Sequence, residues 1–137
     1  MIVWEPNDVI AGWMGGKIGV RFSRPFVTVA SVDQNGKIEC AALFNAMTDF
    51  DVECSVVVDG RATVELLKAC REYVEGQLKR PRITFRTRAS NIRAHNALKK
   101  LGADQEGRLR EYFGDEDALI YGLILRDCKY GIDTQRA

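Results

Sequence analysis

Two stretches of the chain carry residue types and spacings suited to chemistry. In VECSVVVDGRAT, residues 52 to 63, a β-branched run ends at Asp59-Gly60 and turns straight into a helix. Such a turn points backbone N–H groups and the positive end of the helix outward, which suits a phosphate or diphosphate. Gly60 permits the tight turn, and Arg61 can add a charge-assisted contact. In NIRAHNALKKLG, residues 91 to 102, Ser90 or Asn91 can cap a helix that Gly102 ends. Its inner side is Ala94, Leu98 and Leu101. The single histidine, His95, lies one turn into that helix and fits a packing residue better than a catalytic one. Local physics leaves this helix either a packing element or one wall of a ligand site.

Charge is unevenly spread. The chain of 137 residues has a formal charge of +1, yet Lys79 to Arg110 holds ten Lys or Arg against Asp104 and Glu106. That segment is +8 (10 − 2), so the rest is −7 (1 − 8). A basic segment in a neutral chain is either a solvated face or the mark of an anionic ligand. Cys40, Cys54, Cys70 and Cys128 form no CxxC pair, which speaks against a metal site and for reduced thiols. No apolar run approaches the roughly 20 residues of a membrane helix, and no signal-peptide pattern opens the sequence. Together these features predict one cytoplasmic globular domain over residues 1 to 137.

The elements that must position these residues follow from periodicity. Residues 7 to 18 predict a short helix capped by Asn7 or Asp8, with Trp4 and Trp13 anchoring it to a sheet or lining a cleft. Residues 26 to 33 and 38 to 46 predict a hairpin turned by a positive-φ pair at Asn35-Gly36. The valine run of 52 to 59 predicts a central strand covered on both faces. A helix over 62 to 78 buries Leu67, Cys70, Val74 and Leu78 and stops at Pro81. RITFRTRA, 82 to 89, alternates Ile83, Phe85 and Thr87 with Arg82, Thr84, Arg86 and Arg88, giving a half-buried strand with a basic face. Residues 107 to 113 and 118 to 127 predict a closing hairpin whose last strand offers an edge for pairing between two chains. The order implies an α/β fold, a mixed sheet with helices on both faces and a parallel pair bridged by the 62 to 78 helix.

From Val52 onward the chain resembles the GNAT superfamily of acyl-CoA-dependent acetyltransferases. The resemblance is carried by ASNIRAHNALKKLGADQEGRLREYF and DALIYGLIL, covers residues 52 to 127, and is loose over 1 to 51. In its length and its MIVWEPND start the chain is similar to the small phage and prophage members, which would put it in a host cytoplasm. The resemblance implies acetyl-CoA as co-substrate, with no metal, and a small-molecule or protein amine as acceptor. It implies that the backbone of Val56, Val57 and Val58 holds the pantetheine arm. Gly60, Arg61, Ala62 and Thr63 would take the diphosphate, and Asn91 would contact the cofactor near its thioester.

Two departures from the family pattern stand out. DGRAT has one glycine where the family's diphosphate loop has more small residues. Leu98 stands where many members carry a tyrosine that protonates the leaving thiolate, and leucine has no proton to give. Tyr112 and Tyr121 are candidates for a displaced donor, each weighed against a packing role. Glu53 matches the family's glutamate, shares a face with Ser55 and Val57, and is the candidate general base, with Glu39 a weaker substitute. The expectation is therefore an N-acetyltransferase, with a GNAT-fold module that binds coenzyme A or a partner without turnover as the alternative. A nucleic-acid binder using Arg82, Arg86, Arg88 and Arg93 ranks lowest, because this stretch lacks interleaved aromatics.

Overall fold

The computed structural model describes residues 1 to 128. Seven strands form one mixed sheet in the order β1-β2-β3-β4-β5-β7-β6. They are β1 (Ile2–Val3), β2 (Val27–Val32), β3 (Ile38–Asn45), β4 (Asp51–Val58), β5 (Arg82–Arg88), β6 (Asp104–Leu109) and β7 (Ala118–Ile124). Only β4 and β5 run parallel; every other neighbouring pair is antiparallel. Helix α1 (Asn7–Ile18) covers one face, and α2 (Val64–Glu72) and α3 (Ile92–Leu101) cover the other. The expected mixed sheet, with a helix bridging a parallel pair, is the observed one.

Alternation along the strands builds two cores. Cys40, Ala42 and Phe44 of β3, Val52 and Cys54 of β4, and Ile83 and Phe85 of β5 face α2 and α3, where they meet Leu66, Leu98 and Leu101. Ala41, Leu43 and Val57 face the other way, onto Ile10, Ala11 and Met14 of α1. Each face is thus specified by residues two apart, and a slip of one residue would exchange the cores.

Several boundaries differ from the sequence expectation for identifiable reasons. The α1 cap is Pro6, because the Asn7 side chain is engaged elsewhere and accepts from the Thr28 hydroxyl at 2.7 Å and the Thr28 N–H at 3.2 Å. In the first hairpin only Gly36 has positive φ; the loop runs from Asp33 to Lys37, with a register shift at Ser31/Val32. Asp33 Oδ1 accepts from the Asn35 and Lys37 N–H groups, so the turn is longer than the expected tight pair. Thr63 caps α2, and beyond Glu72 the helix widens into a π turn over Tyr73–Leu78 before Lys79 ends it at φ 56°. The wider turn accompanies the packing of Tyr73 between Trp4 (5.4 Å) and Phe44 (5.1 Å). Trp4 thus packs under the π turn, whereas Trp13 lies against α1's core. The inner stripe of α2 is Leu66, Arg71 and Val74, with Leu67, Cys70 and Leu78 only half-buried.

The last hairpin also shifts. Strand β6 starts at Asp104 and stops at Leu109, so Tyr112 and Phe113 belong to the connecting loop. The last strand is not an edge: β7 lies between β5 and β6. The sheet edges are β1 and β6. No helix among the described residues is long and apolar enough to cross a membrane.

Candidate active site

The site begins with a fork in the sheet. Strands β4 and β5 pair from Asp51↔Arg82 to Cys54↔Phe85, and there the pairing ends. Strand β5 stays paired to β7 as far as Arg88, while β4 stays paired to β3 as far as Val58. The two halves of the sheet therefore diverge beyond Cys54. The Asp59 N–H donates to the Glu39 carbonyl at 2.8 Å, which sets the parity of the β3–β4 ladder. Glu53, Ser55 and Val57 direct their backbone groups to β3, and Val52, Cys54, Val56 and Val58 direct theirs to β5. Since β5 answers only as far as Cys54, the backbone of Val56 and Val58 faces the fork with no strand opposite it among the described residues.

On the α2/α3 side, the fork opens into an apolar trough of about 60 Å³, lined by Val56, Val58, Leu66, Thr87 and Leu98. A wider mouth of about 370 Å³ continues from it, sharing Val58, Ala62, Leu67 and Ala97. Gly60 and Arg61 line one side of that mouth, and Arg93, Asn96 and Lys100 of α3 line the other. Gly60 has φ 108°, a left-handed conformation that side chains disfavour, so the glycine is required by the turn. Arg61 is exposed and sits 3.8 Å from Glu39; Lys17 pairs with Asp59 at 3.1 Å.

On the α1 side, the same fork opens into a cleft of about 260 Å³. Glu53 and Ser55 of β4, Arg86 of β5, Arg21 and Phe22 beyond α1, and Tyr112 of the last loop line it. Glu53 accepts from Arg86 Nη1 across the fork, and both side chains are about one-quarter exposed. The Arg86 guanidinium lies 5.5 Å from the Tyr112 ring, a cation–π distance.

The predicted site residues separate on this frame. Val56, Val58, Gly60, Arg61 and Ala62 come together along the trough and its mouth. Val57 does not: its backbone is turned to β3 and its side chain is buried under α1. Thr63 is buried, and its hydroxyl caps α2 by accepting from the Leu66 N–H at 3.1 Å. Asn91 caps α3, with Oδ1 accepting from the Ala94 N–H at 3.1 Å, and lines neither trough nor mouth. Glu53 stands in the opposite cleft with Tyr112.

His95 and Tyr121 are structural. His95 Nε2 lies 3.0 Å from the Ala89 carbonyl, which can only accept, so Nε2 carries the proton. Nδ1 then accepts from the Thr87 hydroxyl at 3.3 Å. Tyr121 is 1% exposed and packs 5.6 Å from the His95 ring, and burial pushes its phenol up from the ordinary value. Leu98 is 5% exposed within the apolar lining of the trough.

The basic segment divides between the two faces, which the sequence order concealed. Arg82, Arg86 and Arg88 point to the α1 side and are each tied to acids: Asp51 and Glu106, Glu53, and Asp115 and Glu116. They are unavailable to a ligand on the α2/α3 side. Of the basic segment's described residues, only Arg93 and Lys100 of α3 line the mouth there, opposite Arg61. Helical spacing of seven residues, Arg93 to Lys100, was the sequence signal that could have found them. Arg21 and Arg86 gave no such signal, because loop placement and pairing across the fork are tertiary.

Cys40, Cys54 and Cys70 are free thiols, and burial pushes Cys70 up to about 12 and raises Cys40 and Cys54. Among the described residues no cluster of three His, Cys, Asp or Glu side chains is arranged to hold a metal.

The fold is shared with solved acetyltransferase structures. The structure superposes on spermidine/spermine N-acetyltransferase SpeG from Vibrio cholerae, in glutamate-to-glutamine mutant forms, with a TM-score of 0.70 over 100% of this chain and 98% of that chain, at 12% identity. It matches ribosomal-protein-S5-alanine acetyltransferase from Vibrio fischeri with a TM-score of 0.62 at 19% identity, over 74% of this chain and 63% of that one. The dodecameric spermidine N-acetyltransferase from Vibrio cholerae gives a TM-score of 0.70 at 10% identity, over 91% and 93% of the two chains. No protein-family model and no curated protein matches the sequence. The chain has the GNAT fold that the 52 to 127 resemblance implied.

Proposed function

We propose that the chain is an N-acetyltransferase that takes acetyl-CoA on the α2/α3 side of the fork and a primary amine on the α1 side. The observation that carries this reading is the end of β4–β5 pairing at Cys54↔Phe85, beside which a trough lies on one face of the sheet and a cleft on the other. The fit is chemical as well as geometric. The free backbone groups of Val56 and Val58 suit the amides of a pantetheine arm, and the apolar trough suits its methylenes. Gly60, Arg61, Arg93 and Lys100 suit the phosphates at the mouth. Acetyl-CoA supplies the activated acyl group.

The chain's own residues then serve the acceptor. An ammonium loses one proton to Glu53, directly or through a water, and becomes nucleophilic. Its nitrogen bonds to the acetyl carbonyl carbon, the C–S bond breaks, and the electron pair leaves on sulfur. The second proton on nitrogen ends on that thiolate, relayed by the Tyr112 hydroxyl, which shares the cleft with Glu53. Fork N–H groups stabilise the carbonyl oxygen as it gains charge.

A second reading, a coenzyme A-binding module without turnover, is favoured by Leu98 in the trough and by the engagement of Glu53 with Arg86. Titration calorimetry with acetyl-CoA, paired with a thiol-release assay over an amine panel, separates the two. Binding with thiol release supports the enzyme, and binding without release supports the module. No binding near millimolar concentration contradicts both.

A further inference from the structure

The α1-side cleft has a charge that an amine site does not need. Its charged lining is Arg21, Glu53 and Arg86. Glu53 and Arg86 neutralise each other, and Glu53 satisfies only one side of the guanidinium. Arg86 Nε–H is buried without a hydrogen-bond partner among the described residues. Arg21 is exposed and has no acidic partner among the described residues. The cleft therefore carries one positive charge in excess (2 − 1) and unused guanidinium donors. A polycation entering it would meet a carboxylate already paired and an arginine left uncompensated. An acceptor with its own carboxylate would meet the opposite: a planar carboxylate suits a guanidinium fork and relieves the repulsion between cations. The volume of about 260 Å³ is small for a drug-sized ligand and suits an acceptor of amino-acid size, with Phe22 and Phe113 as apolar walls.

We infer that the acceptor is a small amino acid-like molecule whose carboxylate is held by Arg21 and Arg86 while its amine meets Glu53. This rests on the acetyltransferase reading for turnover, but carboxylate recognition is measurable without it. A carboxylate on Arg86 also competes with Glu53 for that guanidinium, so the acceptor itself frees the base from its ion pair.

The test compares phenylalanine, phenylalaninamide and spermidine, by calorimetric titration into the acetyl-CoA-saturated full chain and into the chain alone. The expected result is that phenylalanine binds at least about tenfold more tightly than its amide, with spermidine weakest. Arg21→Gln, an exposed position where folding is not at stake, should shrink that ratio to about threefold or less. Equal or tighter binding of the amide or of spermidine, no detectable binding of phenylalanine, or a ratio unmoved by Arg21→Gln overturns the inference. Thiol release is read in the same samples. Its absence with the phenylalanine preference intact counts against the acetyltransferase reading alone.

Discussion

Arg86 grips Glu53 across the point where β4 and β5 part company. The two residues sit on adjacent parallel strands within a residue of the last paired position, Cys54↔Phe85, and both line the α1-side cleft. The pair therefore marks where the two strands part and holds the candidate base in the cleft beside that point. Removing the carboxylate should stop proton removal without dismantling the fork. Glu53→Gln is expected to lower kcat/KM by about a hundredfold or more. Acetyl-CoA affinity, measured by calorimetry, should stay within about threefold. Loss of both together would mean that the residue supports the structure instead.

Tyr112 and Tyr121 make opposite predictions. Tyr112 is 49% exposed in the cleft with Glu53, and Tyr121 is sealed against His95 on the other face. Tyr112→Phe should cut kcat by about tenfold or more with the melting temperature unchanged. Tyr121→Phe should leave kcat alone, since its hydroxyl reaches neither cleft nor trough. Comparable kcat losses in both would remove Tyr112 as the proton relay.

The α3 cations face Arg61 across the mouth and are placed to meet phosphates. Arg93→Ala with Lys100→Ala should raise the acetyl-CoA Kd by about tenfold, and the penalty should shrink as salt rises. Arg82→Ala, on the far face, should leave that Kd unchanged while lowering stability.

Acid should loosen the β5–β6 side of the sheet. The Arg82 guanidinium donates to Glu106 at 2.5 and 3.0 Å and holds its carboxyl below the ordinary glutamate value. The folded-state value is thus depressed relative to the unfolded one. The stabilisation is complete above the unfolded value of 4.5 and is lost as pH falls through the folded value. Both partners are partly exposed, so the contribution is about 0.5–1 kcal/mol. Melting curves from pH 7 to pH 3 should show a steeper acid loss in the native chain than in Glu106→Gln.

The reduced thiols should be inert. With Cys70 pushed up to about 12 and Cys40 and Cys54 also raised, iodoacetamide at pH 8 should leave all three unmodified in the folded chain and label them in denaturant. Rapid labelling of Cys70 in the native state would contradict its raised thiol value.

Much of this molecule could be read from local pattern. The alternation of Ile83, Phe85 and Thr87 with arginines gave β5 its two faces, and Asn91 with Gly102 bracketed α3 to within a residue. Val56 and Val58 were named from the resemblance over 52 to 127, and the Gly60 turn from the glycine that follows the valine run. What stayed hidden was tertiary. Nothing in the valine run says that Val57 turns its backbone to β3, since that parity is set by the register with β3. Nothing in RITFRTRA says which helix its arginines face, so a basic segment that read as one patch divides between a phosphate-facing helix and a salt-bridged strand face. Strand β1 is two residues long, too short to show a period.

The fork itself is the central claim, and its free backbone is measurable. Hydrogen exchange at the Val56 and Val58 amides, followed with and without saturating acetyl-CoA, tests it most directly. Exchange at both should be fast in the free chain and slowed by at least about tenfold on binding, with Val57 slow in both states. Unchanged exchange at Val56 and Val58 under saturating acetyl-CoA would contradict the assignment of the fork as the cofactor site.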